Sequence, residues 1–371
     1  MKFLSLIITM VFLILNVSLT SAEETVKVAA IFSKTGKAAL GNVPSLNGIR
    51  FAVKELNQQG GLLGKQVELL EFDNKSSALG SKLAAEKAIQ ANVVITFGAL
   101  WSSHSFAMAQ VFQAAKIPMI TPASTNPQVT LVGDFIFRAC FIDSFQGKVL
   151  AKFVVQDLKM KTAGVLINAN SKYSEGLAKS FIEYFKGHNG QILFEENYLE
   201  QTVDFSSLIA KIKTFQPEIL FLPAHDKDAG YIIKQTRDSK ILTPFIGGDA
   251  WSNDLYNIAG NKIEGNFFSH HWHQKSSENK SRKFVTKYKK HFQNLDDRDA
   301  LSYDTVFLFA DAVHRAASLA PAKIRDALAV TKNFKGVTGN ISFDKNGDPI
   351  KSAVILKFDK GTSVYVKTVA P

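Results

Sequence analysis

The 371-residue chain sets 44 Lys and Arg against 33 Asp and Glu, a formal net charge of +11, with 46% hydrophobic and 21% charged residues. That length and composition suit two packed globular lobes and exclude a disulfide-built miniprotein, a collagen-like repeat and a disordered chain. Cys140 is the single cysteine, so no intramolecular disulfide can form and stability must come from packing.

The first 22 residues read as a signal peptide. Lys2 gives a positive start, Phe3 to Leu15 is almost wholly apolar, and Thr20-Ser21-Ala22 supplies small residues for cleavage after Ala22. No Cys follows the cut to carry a lipid, and no other stretch approaches the roughly 18 to 20 apolar residues of a membrane span. The mature chain is therefore expected to be exported. Its lysines are scattered, and the densest run, Lys280 to Lys290, has the spacing of a solvated helix face with Phe284, Tyr288 and Phe292 inward. No nucleic-acid partner is expected.

From Val26 onward, short apolar runs alternate with helical patterns. Strand Val26 to Phe32 precedes a helix with Leu46, Ile49, Val53 and Leu56 on one face; then come strand Val67 to Phe72, a helix from Ser77 to Ala91, strand Val93 to Phe97, a helix from Ser102 to Ala115 and strand Pro118 to Thr121. This is repeated β-α, the pattern of a parallel sheet covered by helices. A second series starts after Phe135 to Phe141, with helix Phe145 to Leu158, strand Thr162 to Asn168, helix Tyr173 to Lys186 and strand Gln191 to Tyr198. It continues through strand Glu218 to Leu222, helix Asp228 to Ser239, strand Pro244 to Gly247 and strand Gly265 to Ser269. Long helices then return near Lys280 to Phe292 and Ala300 to Leu319, and two strands around the turn Asp344 to Asp348 close the chain. The fold class is α/β, two doubly wound Rossmann-like lobes in tandem. No low-complexity linker separates them, so several short crossings and a hinge are expected.

Catalytic signatures are missing. The serine-rich turn Gly98-Ala99-Leu100-Trp101-Ser102-Ser103 lacks the second glycine of a nucleophile elbow, and no phosphate loop or dinucleotide fingerprint is present. The expectation is a non-enzyme without a cofactor. His270-His271-Trp272-His273 is the best metal candidate, because His271 and His273 share a face of an extended strand. No third ligand accompanies it at a helical spacing, so no metal site is assigned.

Strand-to-helix junctions carry more. Gly98 to Ser103 and Thr121 to Pro127 place hydroxyls and free N–H groups at the carboxyl ends of parallel strands, where a helix N-terminus favours an anion. A ligand carboxylate suits both junctions, Ser102 and Ser103 supplying hydroxyls at the first. The second series offers Tyr173, His225 with Asp226, and Asp249 with Trp251 at its own strand ends, where an acid can meet an ammonium group.

The chain resembles the type I periplasmic solute-binding proteins of branched-chain amino-acid ABC importers. The resemblance rests on Val26 to Phe32, Thr35-Gly36, Asn47-Gly48, Asn57-Gln58-Gln59-Gly60-Gly61, Pro122 to Pro127, Phe137-Arg138, Gln146-Gly147, Tyr173-Ser174-Glu175-Gly176 and Phe205 to Ile209, in that order. It implies periplasmic location and two lobes joined by three crossings, 23–142 with about 272–336 and 143–271 with about 337–371. It also implies a small ligand, an amino acid or related carboxylate, enclosed by hinge closure, and a permease in the inner membrane as partner; a monomer is expected, though the sequence leaves the oligomeric state open. A sensory module that presents its ligand to a membrane receptor or kinase is the other use of such a chain. By resemblance the ligand carboxylate meets Ser102, the Ala123 amide and Thr125, the ammonium meets Asp249 where the family usually has Glu, and Tyr173 closes over both. The walls depart from the family at Leu40, Trp101, His225-Asp226 and Arg298-Asp299. Trp101 and Trp251 suit an apolar or aromatic ligand side chain, Lys34 and Arg298 an acidic one, and both alternatives stand.

Overall fold

The computed structural model describes residues 24–371, so the leader and its cleavage site lie outside the described residues. The chain opens with β1 (Val26–Phe32), α1 (Ala39–Gln58), β2 (Val67–Asp73), α2 (Ala78–Gln90), β3 (Thr96–Gly98), α3 (Ser102–Ala115), β4 (Met119–Thr121) and β5 (Ile136–Arg138). These five strands form one parallel sheet in the order β2-β1-β3-β4-β5. In β1 every residue but Lys27 is buried, which is why it reads as an unbroken apolar run and not as an alternating one. Ser77 starts α2 by accepting the Gly80 N–H at 2.9 Å, the usual way of satisfying an orphan donor at a helix start.

The second series runs α4 (Asp143–Lys152), β6 (Thr162–Asn168), α5 (Lys172–Gly187), β7 (Gln191–Tyr198), α6 (Ser206–Phe215), β8 (Ile219–Leu222), α7 (Asp226–Asp238), β9 (Phe245–Gly247), α8 (Leu255–Ala259) and β10 (Phe267–His270). Helices α9 (Asn279–Tyr288), α10 (Asp297–Ala316) and α11 (Pro321–Ala329) follow, then β11 (Phe334–Gly336), β12 (Gly339–Ile341), β13 (Ala353–Asp359) and β14 (Thr362–Val369). The second sheet has the order β14-β13-β10-β9-β8-β6-β7, with β13 alone reversed, antiparallel to β10 and to β14.

Helices α9 to α11 return to the first lobe, where Phe284, Tyr288, Leu301, Val306 and Val313 share a core with β1 and α1. α10 lies so close to α1 that a Cβ at Gly48 would sit 2.3 Å from the Asp299 carbonyl oxygen, so this contact requires glycine. The chain passes between the sheets three times, at residues 139–142, 271–278 and 342–352. The crossings touch one another: the Phe141 ring lies 3.8 Å from the His271 ring, and Lys351 Nζ donates to the Ala139 carbonyl at 3.1 Å. Cys140, in the first crossing, is free and buried, and burial pushes its thiol up to about 12, so it is an inert packing group.

Two expectations change. The helix expected from Phe145 starts at Asp143 and ends in a π-helical turn, Phe153–Asp157. The closing hairpin is β13 and β14 around Lys360-Gly361, not strands flanking Asp344 to Asp348. That earlier turn is a small loop in which Asp344 accepts the N–H groups of Asn346 and Asp348. Among the described residues no helix is long and apolar enough to cross a membrane.

Candidate ligand-binding site

The carboxyl ends of β3 and β4 are tied into one surface. Thr121 donates its hydroxyl to the Ala99 carbonyl at 2.6 Å, and Ser124 donates to the Leu100 carbonyl at 3.0 Å. Arg138, fully buried, clamps the same loop from below: its Nη2 donates to the Asn126 carbonyl at 2.9 Å and its Nε pairs with Asp348 Oδ1 at 2.6 Å. α3 begins here with no side-chain cap, so its first N–H groups face outward with the positive end of the helix dipole.

Opposite that surface the second lobe presents the carboxyl ends of its own strands, and a narrow cleft lies between. The first lobe contributes Leu100, Trp101, Ser102, Ala123, Asp297 and Arg298 to its walls. The second contributes Tyr173, His225, Asp249 and Ala250, and His271 enters from the second crossing. The lobes already touch at the mouth: Asn126 Nδ2 donates to the Lys172 carbonyl at 2.6 Å, and Lys37 pairs with Glu200. A row of rings bridges the gap, with Trp101 stacked on His225 at 4.0 Å and 10°, and His225 on Tyr173 at 5.4 Å.

Asp249 is the electrostatic centre of the second wall. Burial works to raise its carboxyl, but hydrogen bonds from His271 Nε2 at 3.0 Å and Gln146 Nε2 at 2.7 Å outweigh that and hold it below the ordinary carboxylate range. Burial holds His271 below the usual imidazole value and pushes His225 down to about 3. Both rings are therefore neutral at pH 7, and among the described residues no Lys or Arg is hydrogen-bonded to Asp249. The wall keeps a negative charge ready for a cation.

Of the residues singled out from sequence, Ser102, Ala123, Tyr173, Asp249, Trp101 and His225 meet in the cleft. Thr125 is fully buried and does not line the cleft; its hydroxyl lies beside the Asp143 carboxyl without a hydrogen bond of ordinary geometry. Ser103 instead accepts the Lys172 N–H at 3.2 Å and so joins the lobes beside the cleft. Asp226 is taken up by Ser252, accepting from its N–H at 2.8 Å and its hydroxyl at 2.7 Å, and burial pushes its carboxyl up to about 6. Trp251 is fully buried in the second-lobe core, stacked on Phe358 and covering Gly247. Neither Asp226 nor Trp251 forms cleft wall, because each faces the α7 and α8 side of its sheet end.

The two cations weighed for an acidic ligand are spent elsewhere. Lys34 pairs with Glu71 at 2.8 Å, away from the cleft, and Arg298 gives Asp296 a fork of 2.6 and 3.0 Å and the Gly41 carbonyl a third bond of 3.1 Å. The histidine run divides as well. His271 faces Asp249, while His270 lies between the Trp251 carbonyl at 3.0 Å and Asp297 at 3.2 Å, and His273 turns toward Tyr365. His270, Asp296 and Asp297 could bring three ligand atoms within 4.8 Å, but the guanidinium of Arg298 already holds Asp296. Sequence reasoning did not find His271, Asp297 or Gln146 as site residues. The signals were the histidine run, read as a metal candidate, and Gln146-Gly147, which carried only resemblance.

A family model described as "Periplasmic binding protein" matches residues 25–363. The leucine-specific-binding protein of Salmonella typhimurium is 27% identical over 347 residues, covering 90% of both chains. Among solved structures, the leucine binding protein LivK of Thermotoga maritima superposes with a TM-score of 0.90 at 32% identity, covering 94% of this chain and 99% of its own. The substrate binding protein LivJ of Streptococcus pneumoniae, in complex with isoleucine, superposes with a TM-score of 0.88 at 29% identity, covering 94% and 100%.

Proposed function

The chain belongs to the periplasmic binding protein family, and on that premise we propose that it is the extracytoplasmic solute-binding component of an ABC importer. Its ligand is an α-amino acid with a neutral, largely apolar side chain. The observation that carries this reading is the opposed polarity of the cleft: Ser102, Ala123 and the uncapped start of α3 on one lobe, the ionised Asp249 on the other. A zwitterion fits that arrangement with its carboxylate at the helix N-terminus and its ammonium at the acid.

Closure strengthens both contacts by excluding water. Tyr173 stands beside Asp249 and covers the ammonium end, while Trp101, Leu100 and His225 wall the side chain. With Arg298 neutralised by Asp296, an acidic side chain finds no free cation among the described residues that line the cleft. Relatives named for leucine and a neighbour holding isoleucine support the apolar reading. The moving parts are residues 24–138 with 279–341 and residues 143–270 with 353–371, as the three crossings divide them, and the closed form is what a membrane permease would recognise.

A thermal-shift screen of the exported form against amino acids, amides, polyamines and carboxylates lacking an amine tests this. A closing ligand in excess stabilises the folded state by mass action, by about 2.7 kcal/mol at a hundred times Kd. A shift with apolar amino acids is expected, whereas a response confined to amides, polyamines or amine-free acids overturns the zwitterion reading.

A further inference from the structure

The first turn of α4 leads straight out of the first crossing, and two of its residues reach the two ends of the cleft. Asp143 and Gln146, three apart, lie on one face of the helix. Gln146 Nε2 donates to Asp249 Oδ1 at 2.7 Å and to Ser269 Oγ at 2.9 Å. With His271 on the other oxygen, the plane of the Asp249 carboxylate is fixed. Asp143, fully buried, takes the Thr125 carbonyl with its own N–H at 2.9 Å and sets its carboxyl beside the Thr125 hydroxyl. Neither that carboxyl nor that hydroxyl has a hydrogen-bond partner of ordinary geometry.

We propose that Asp143 and Gln146 are positioning residues that hold the carboxylate end and the ammonium end of the site in register across the hinge. The proposal rests on the amino-acid reading above. A buried carboxylate without donors is costly, so Asp143 keeps its proton. As the neutral acid it donates to Thr125 Oγ1, which leaves the hydrogen of Thr125 free for the ligand carboxylate. As the anion it would take that hydrogen itself and set a second negative charge against the ligand.

The charged and titratable groups facing Asp143 are Asp249 and Tyr173 from the second lobe and Arg138 from β5. Burial is the largest influence and drives the carboxyl well above its ordinary value; Asp249 adds to this, and Thr125 and Arg138 oppose it. The turn cannot shift alone. A Cβ at Gly147 would lie 2.6 Å from Ser180 Cβ, and one at Gly176 would lie 2.8 Å from Asp143 Oδ2, so α4 is pressed onto α5, which carries Tyr173.

The test is calorimetric titration of the wild type, Asp143→Ala, Asp143→Asn and Gln146→Met with L-leucine, with leucinol, which lacks the carboxylate, and with 4-methylpentanoate, which lacks the amine. Asp143→Ala should weaken leucine and 4-methylpentanoate by about tenfold, the value of a hydrogen bond to a charged group, and leave leucinol within about twofold. Asp143→Asn, whose amide can still donate to Thr125, should recover affinity to within about threefold. Gln146→Met should show the reverse pattern, weakening leucine and leucinol and sparing 4-methylpentanoate. Equal losses for all three ligands in a variant that melts like the wild type would overturn the proposal, since a merely structural role acts on every ligand alike. If the wild type binds neither leucine nor any other amino acid, the zwitterion reading fails first and takes this inference with it.

Discussion

His271 donates from Nε2 to the Asp249 carboxylate across 3.0 Å, and its Nδ1 has no partner. The neutral ring steadies the acid without cancelling its charge. Replacing Asp249 by Ala removes the counter-charge of the ammonium and strands His271, so affinity for leucine should fall by more than about tenfold in calorimetry. Unchanged affinity would remove Asp249 from the site.

The Trp101–His225 stack makes closure sensitive to acid. With its ring opened to solvent, His225 returns toward the ordinary 6.5, whereas burial in the closed form lowers it to about 3. A closed-state value that is depressed means closure releases a proton below pH 6.5, so affinity is full above that pH and falls as pH drops, by up to about tenfold per unit. Asp226, raised to about 6, acts in the opposite sense. Kd measured at pH 7.5 and pH 5 should rise by roughly tenfold or more in the wild type and change less in His225→Phe. A wild-type Kd that does not rise between these pH values contradicts the stack as part of the closed state.

Trp251 and Trp101 should separate stability from binding. Trp251→Ala opens a cavity in the second-lobe core and should cost about 3–5 kcal/mol in chemical denaturation. The milder Trp251→Phe should lower Tm while leaving Kd within about twofold, whereas Trp101→Ala should weaken binding with a smaller effect on Tm. Loss of binding in a well-folded Trp251→Phe would return that ring to the ligand wall.

Arg298 sets a limit on side-chain charge. Its fork is filled by Asp296, so glutamate should bind more than about tenfold more weakly than leucine. Asp296→Asn frees the guanidinium and should narrow that ratio in a competition titration. Glutamate binding as tightly as leucine in the wild type contradicts a neutral side-chain pocket.

Much of this architecture is legible in sequence because it follows from local pattern. Strands β6 and β7 are bounded by polar residues and match their expected limits, and Ser102, Ala123, Tyr173 and Asp249 sit at strand ends where an open sheet must bind. What is not legible is which of two like residues faces inward. Trp101 and Trp251 both follow a strand and precede a helix, yet one packs across the cleft and the other under its own sheet. The pairing of Asp249 with His271 depends on a crossing that returns 22 residues later, and periodicity carries no information about that. α11 escaped notice because its apolar face rests on only Ile324, Ala327 and Leu328.

The most direct test titrates the exported wild-type protein with L-leucine, leucinol and 4-methylpentanoate. Two charged anchors, each removed in turn, predict that leucine binds and that both analogues bind at least about tenfold more weakly. If either analogue binds as tightly as leucine, the corresponding half of the site, Asp249 or the wall of Ser102 and Ala123, does not hold the ligand.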